Sequence, residues 1–130
     1  MSDQTDDQLS RDLRERVIPL LREYLNTLTE IAKRAHELRL QQEKLNALAQ
    51  KGVDADEAMS LQTRNIYLTK EISYLQELFK RINTPASQLA QYVSQRITHS
   101  AVEDLLKIEL RLRLGEFEAA LLNARRAVLA

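Results

Sequence analysis

The residues of this 130-residue chain whose types invite a chemical reading are two histidines, a serine beside one of them, and two amides set among leucines. A metal site on a helix needs a second ligand one turn on from His36, and that place is Leu40. His99 is followed by Ser100 in a stretch that reads as a connection between helices. Serine there is a cap signal, and no third group stands by to orient the imidazole. Gly52 and Gly115 lie too far apart to make a phosphate-cradling loop, and there is no cysteine. No catalytic, cofactor-binding or metal-ligating set is therefore expected, nor a small-molecule substrate.

Gln42 and Asn65 are more informative. Each interrupts a row otherwise filled by apolar groups. The first row is Val17, Leu21, Tyr24, Leu28, Ile31, Ala35, Leu38, Gln42, Leu45, Ala49; the second is Ala58, Leu61, Asn65, Leu68, Ile72, Leu75, Phe79, Ile82. Both step by four and three, the spacing of a coiled-coil seam. A buried amide without a partner costs about 1–3 kcal/mol. A lone polar residue in such a seam sets register at a cost in stability. With a turn near Gly52 the two amides fall within about one helical turn of each other, and Gln42 and Asn65 are expected to bond to one another or to water and to set register.

These rows must be carried by two long helices folded back on each other. Lys51–Asp54 is too short a connection for any other course. Gly52 suits the left-handed position just past a helix end, and Asp54 with Glu57 matches a capping box. Ser10 is a candidate N-cap for the first helix, and Pro19 either bends its first turns or sits in a new one. Asn83-Thr84-Pro85 is expected to stop the second helix, because the residue before proline avoids helical angles. The expected fold is all-α: a long antiparallel coiled-coil hairpin followed by two or three shorter helices packing on its base. Residues 1–9 read as a disordered acidic tail, 10–83 as the hairpin and 84–130 as the packing helices of a single domain.

The helix expected after the capping-box match Ser100–Glu103 has two apolar rows. One is Ala101, Leu105, Ile108, Leu112; the other is Leu106, Leu110, Leu114. A helix apolar on two sides packs against two neighbours. Leu106, Leu110, Leu114, Phe117 and Leu121 are expected to form an interface with another chain, most strongly if the helix runs through Gly115. Most charges read as solvated pairs, Glu103–Lys107 and Glu109–Arg113 among them.

Two short stretches invite comparison with known motifs. The segment Gly115-Glu-Phe117 through Ala120, Ala124 and Ala127 resembles the second helix of a tetratricopeptide repeat. That resemblance covers about fifteen residues, with no second copy where a solenoid needs about three. It therefore implies a tight helix crossing over small residues, not a repeat protein. Ser87–Leu106 has the rough spacing of a helix-turn-helix, but the would-be reading helix opens with Glu103 and Asp104, which repel phosphates.

Composition narrows the function class. Net charge is zero, against a general affinity for DNA or an anionic membrane. Aromatics are 5% of residues and the charged fraction is 29%, as in amphipathic helices. No run approaches the ~18 apolar residues of a membrane span. The expected role is a non-catalytic interaction subunit or adaptor of a multi-protein assembly, with a protein partner or a second copy of itself. A small regulatory protein or chaperone that sequesters one partner is the alternative, and a nucleic-acid-associated helical protein a second. A cytoplasmic location is expected, with the nucleus also open.

Overall fold

A computed structural model describes residues 8–99 and 102–129. Among these the chain is all-helical. Residues 8–12 are helical, a π-helical turn spans Leu13–Val17, and three α-helices follow: α1, Ile18–Gln50; α2, Ala55–Ile97; and α3, Asp104–Leu129. Of the expected acidic tail, residues 1–7 lie outside the described residues, while Gln8 and Leu9 are already helical. Ser10 is not a cap but a buried residue inside the helix.

Pro19 explains the π turn. Proline has no N–H to give to the carbonyl four residues back, and its ring presses on that carbonyl. Widening the preceding turn by one residue eases the ring's pressure on that carbonyl. The Ile18 amide accordingly donates to the Leu13 carbonyl, five residues back. The extra residue also turns Leu13, Val17, Ile18 and Leu21 all toward the core.

At the far end of α1 a short turn, residues 51–54, leads into α2. Gly52 has φ +78, and the Asp54 carboxylate accepts from the Glu57 amide at 2.8 Å. The two helices then run antiparallel: Arg34 meets Glu71 at 2.8 Å, and Gln42 meets Asn65 at 3.2 Å. Leu38 and Leu68 fall between those contacts and are both buried.

The expected stop at Asn83-Thr84-Pro85 does not occur. Pro85 lies inside α2, which runs unbroken for 43 residues. The buried row Phe79, Ala86, Val93, Ile97 keeps helical spacing across the proline. Ending the helix would strip that row from the core, and its burial outweighs the ~3 kcal/mol an internal proline costs. One separate helix therefore follows, not two or three, and it too runs through Gly115.

α3 lies parallel to α1 and antiparallel to α2. Glu103, just before its start, pairs with Arg14 at 2.8 Å, and Arg39 holds its last turn. Ser100 lies outside the described residues. The Glu103 carboxylate is spent on Arg14, not on its own helix or on Lys107, and Arg113 pairs with Glu116 at 3.7 Å rather than with Glu109. The core runs the length of α3, with Tyr24 and Phe117 edge to face at 6.3 Å.

Candidate interaction surfaces

The two amides meet. Gln42 Nε2 donates to Asn65 Oδ1 at 3.2 Å and to Thr69 Oγ1 at 3.0 Å, and the Thr69 hydroxyl donates on to the Asn65 carbonyl at 2.9 Å. The cluster straddles the level at which burial ends. Leu38 and Leu68 are the last buried residues toward the turn, and none of residues 39–67 is buried.

α3 is apolar on two sides, as its sequence indicates, but the sides are reversed from expectation. Leu106, Leu110, Leu114 and Phe117 are buried in the chain's own core, and Leu121 is partly buried against it. They cannot serve as a free surface. The reason is continuity: once the helix runs through Gly115, their row extends through Ala120, Ala124 and Val128 and fills the groove between α1 and α2 along the whole helix. The other row faces out. Leu105 is 78% exposed, and Ile108 and Leu112 are each 61% exposed. Leu122 and Leu129 prolong it on the same side.

A second surface lies on the α1–α2 pair. Two adjoining hollows of about 360 and 430 Å³ share Tyr67. Their floor is Leu38, Leu45, Leu68 and Leu75, and Tyr67 and Tyr74 stand exposed at the rim. Gln76, which bonds α3, is nine residues from Tyr67 and so half a turn around α2. The hollows therefore open on the face away from α3. Arg34, Lys44, Arg64 and Lys70 surround them, with Glu71 the one acid.

His36 and His99 are both exposed, on α1 and in the α2–α3 connection. Among the described residues no group of three or more His, Asp or Glu side chains could hold a metal ion. Among the described residues no helix is long and apolar enough to cross a membrane. Across the stretch with helix-turn-helix spacing α3 lies alongside α2, with Arg125 at 3.3 Å from Asn83. No protein-family model, curated protein or solved structure matches the chain.

Proposed function

We propose that this chain is a non-catalytic interaction subunit or adaptor, a three-helix bundle with a two-helix coiled-coil arm. Its docking surface is the outer face of α3. The observation that carries the reading is the row Leu105, Ile108, Leu112, whose side chains stand mostly in water while the opposite face of the same helix is fully packed. Burial of apolar area is worth about 25 cal/mol per Å², so three large side chains on one stripe favour a covering helix. A photo-crosslinking residue at Ile108, introduced in the native host, tests this. A discrete protein adduct is expected there and none from the same residue at Glu77, on exposed α2. Absence of any adduct at Ile108 overturns the reading.

A second observation favours the sequestering alternative. The hollows beside Tyr67 and Tyr74 offer an apolar floor and a basic rim, which suits an amphipathic helix with acidic flanks. Tyr67→Glu with Tyr74→Glu would then abolish binding of that partner and leave the α3 adducts unchanged.

A further inference from the structure

The outer row of α3 is longer than its three large members. Leu105, Ile108, Leu112, Gly115, Ala119, Leu122, Arg126 and Leu129 step by three and four without a slip, and all are exposed. This is a second heptad seam, on the side of the helix that the bundle does not use. Gly115 sits at its middle, with nothing within 4 Å of where a Cβ would be. The chain's own packing gives no reason for a glycine in mid-helix there.

We infer that the occupant of this face is a second copy of the same helix, antiparallel, with Leu105 opposite Leu122 of the second copy, Ile108 opposite Ala119 and Leu112 opposite Gly115. This rests on the reading of α3's outer face as a docking surface. Large residues then meet small ones at every inner layer, so the helices approach closely and the leucines are covered. The flanks choose the register. In it Arg111 faces Glu118 of the other copy and Asp104 faces Arg125, each pair formed twice by symmetry. Arg111, Glu118 and Asp104 have no partner among the described residues of one chain, and Arg125 reaches only Asn83 at 3.3 Å. The opposing contact is Glu109 against Glu116, and Glu116 already holds Arg113 at 3.7 Å.

The alternatives are worse. A shift of one heptad in one direction sets Glu118 against Glu118 and Arg111 against Arg125. A shift in the other direction sets Arg111 against Arg111 and Asp104 against Glu118. A shift of two heptads leaves Leu105 and Ile108 uncovered in one direction, and Leu112 and Leu122 uncovered in the other. A parallel pair sets Arg126 against Arg126 and Asp104 against Glu109. Like charges at these positions are the usual device by which coiled coils reject a pairing. From Leu105 to Leu122 the contact is only about 25 Å long, so the dimer is expected to be reversible and concentration-dependent.

Sedimentation of the full chain over a concentration series tests this, with circular dichroism as a check on folding. Arg111→Glu should weaken the dimer about tenfold or more, and so should Glu118→Arg. The two together should restore it, because the swapped charges again face each other. Register is read directly by mixing an Ile108→Cys chain with an Ala119→Cys chain, in a protein that has no cysteine of its own. The mixed disulfide should form faster than either self-disulfide. A wild-type chain that stays monomeric at about 1 mM, where any Kd below that value would show, overturns the proposal. So does a double charge swap that fails to restore association, or a mixed disulfide no faster than the self-disulfides. The photo-adduct at Ile108 separates the two levels. An adduct of twice the chain mass supports the second copy. An adduct to a different protein keeps the docking surface and discards the second copy. No adduct discards both.

Discussion

Arg39 belongs to α1, yet it terminates α3. Its guanidinium donates to the carbonyls of Ala127 and Val128 at 2.8 and 2.9 Å, and Gln76 of α2 adds a third bond, to Val128, at 2.7 Å. The last carbonyls of a helix have no partner within it and carry the negative end of its dipole, so a cation there both satisfies and neutralises them. Arg39→Met should cost about 1.5–3 kcal/mol, the range for hydrogen bonds to a charged group. Urea melts check the size, and hydrogen exchange should quicken first in the last turn of α3. Nothing in the sequence pointed to this role, because the partner is backbone 88 residues away. The meeting of Gln42 with Asn65 was legible for the opposite reason: a turn fixed by Gly52 and Asp54, and two seams of known step, determine which residues face each other. Replacing both amides by leucine should raise stability by about 1–2 kcal/mol, since two half-buried amides become packing groups. It should also add oligomeric states or alternative registers, seen as a broadened mass distribution in solution. A lower melting temperature with a single state would show that the amides contribute strength and not pairing.

At the scale of the element, two residues that punctuate most sequences fail to do so here. Pro85 sits inside α2 and Gly115 inside α3. Local rules gave both the power to end a helix, and tertiary packing overrode them. The overriding signal was present: the apolar step continues without slip from Phe79 through Ala86 to Val93, and from Leu114 through Phe117 to Ala124. An unbroken row across a proline or glycine argues for an unbroken helix. Pro85→Ala should therefore stabilise the chain, by about 1–3 kcal/mol, as the lost hydrogen bond returns and some gain in unfolded-state freedom offsets it. Gly115→Ala should add about 1 kcal/mol to the isolated chain from helix propensity alone, since an added methyl meets nothing. Thermal melts at low concentration check both. The same methyl should weaken self-association at high concentration, where Leu112 of a second copy needs the space, and that opposite sign separates local propensity from contact.

For the whole molecule, the sequence made plain that α3 has two apolar faces and left open which one turns inward. The short rows beginning at Leu105 and Leu106 look equivalent. Only the continuation decides: the inner row goes on with Phe117, Ala120, Ala124 and Val128, the outer with Gly115, Ala119 and Arg126. Over Leu105–Leu114 alone the two rows cannot be told apart, so the expected interface fell on the row that turns inward. The turn at Gly52 and Asp54 rests on local residues and needs no such continuity. A different consequence follows from where burial stops. Beyond Leu38 and Leu68 the paired helices continue for about 18 Å with no buried side chain, so their length is nearly independent of the stability of the bundle. Removing residues 43–49 together with 58–64 takes one full heptad from each side, keeps Gln42 facing Asn65 and leaves the Asp54 cap intact. The melting temperature should change by no more than about 5 °C, equivalent to roughly 1 kcal/mol. A larger fall would show that the distal part belongs to the cooperative core. If the shortened chain keeps its fold, reach is a dimension set by counting heptads, a gauge that can be lengthened or cut in steps of about 10 Å without redesigning anything that holds the protein together.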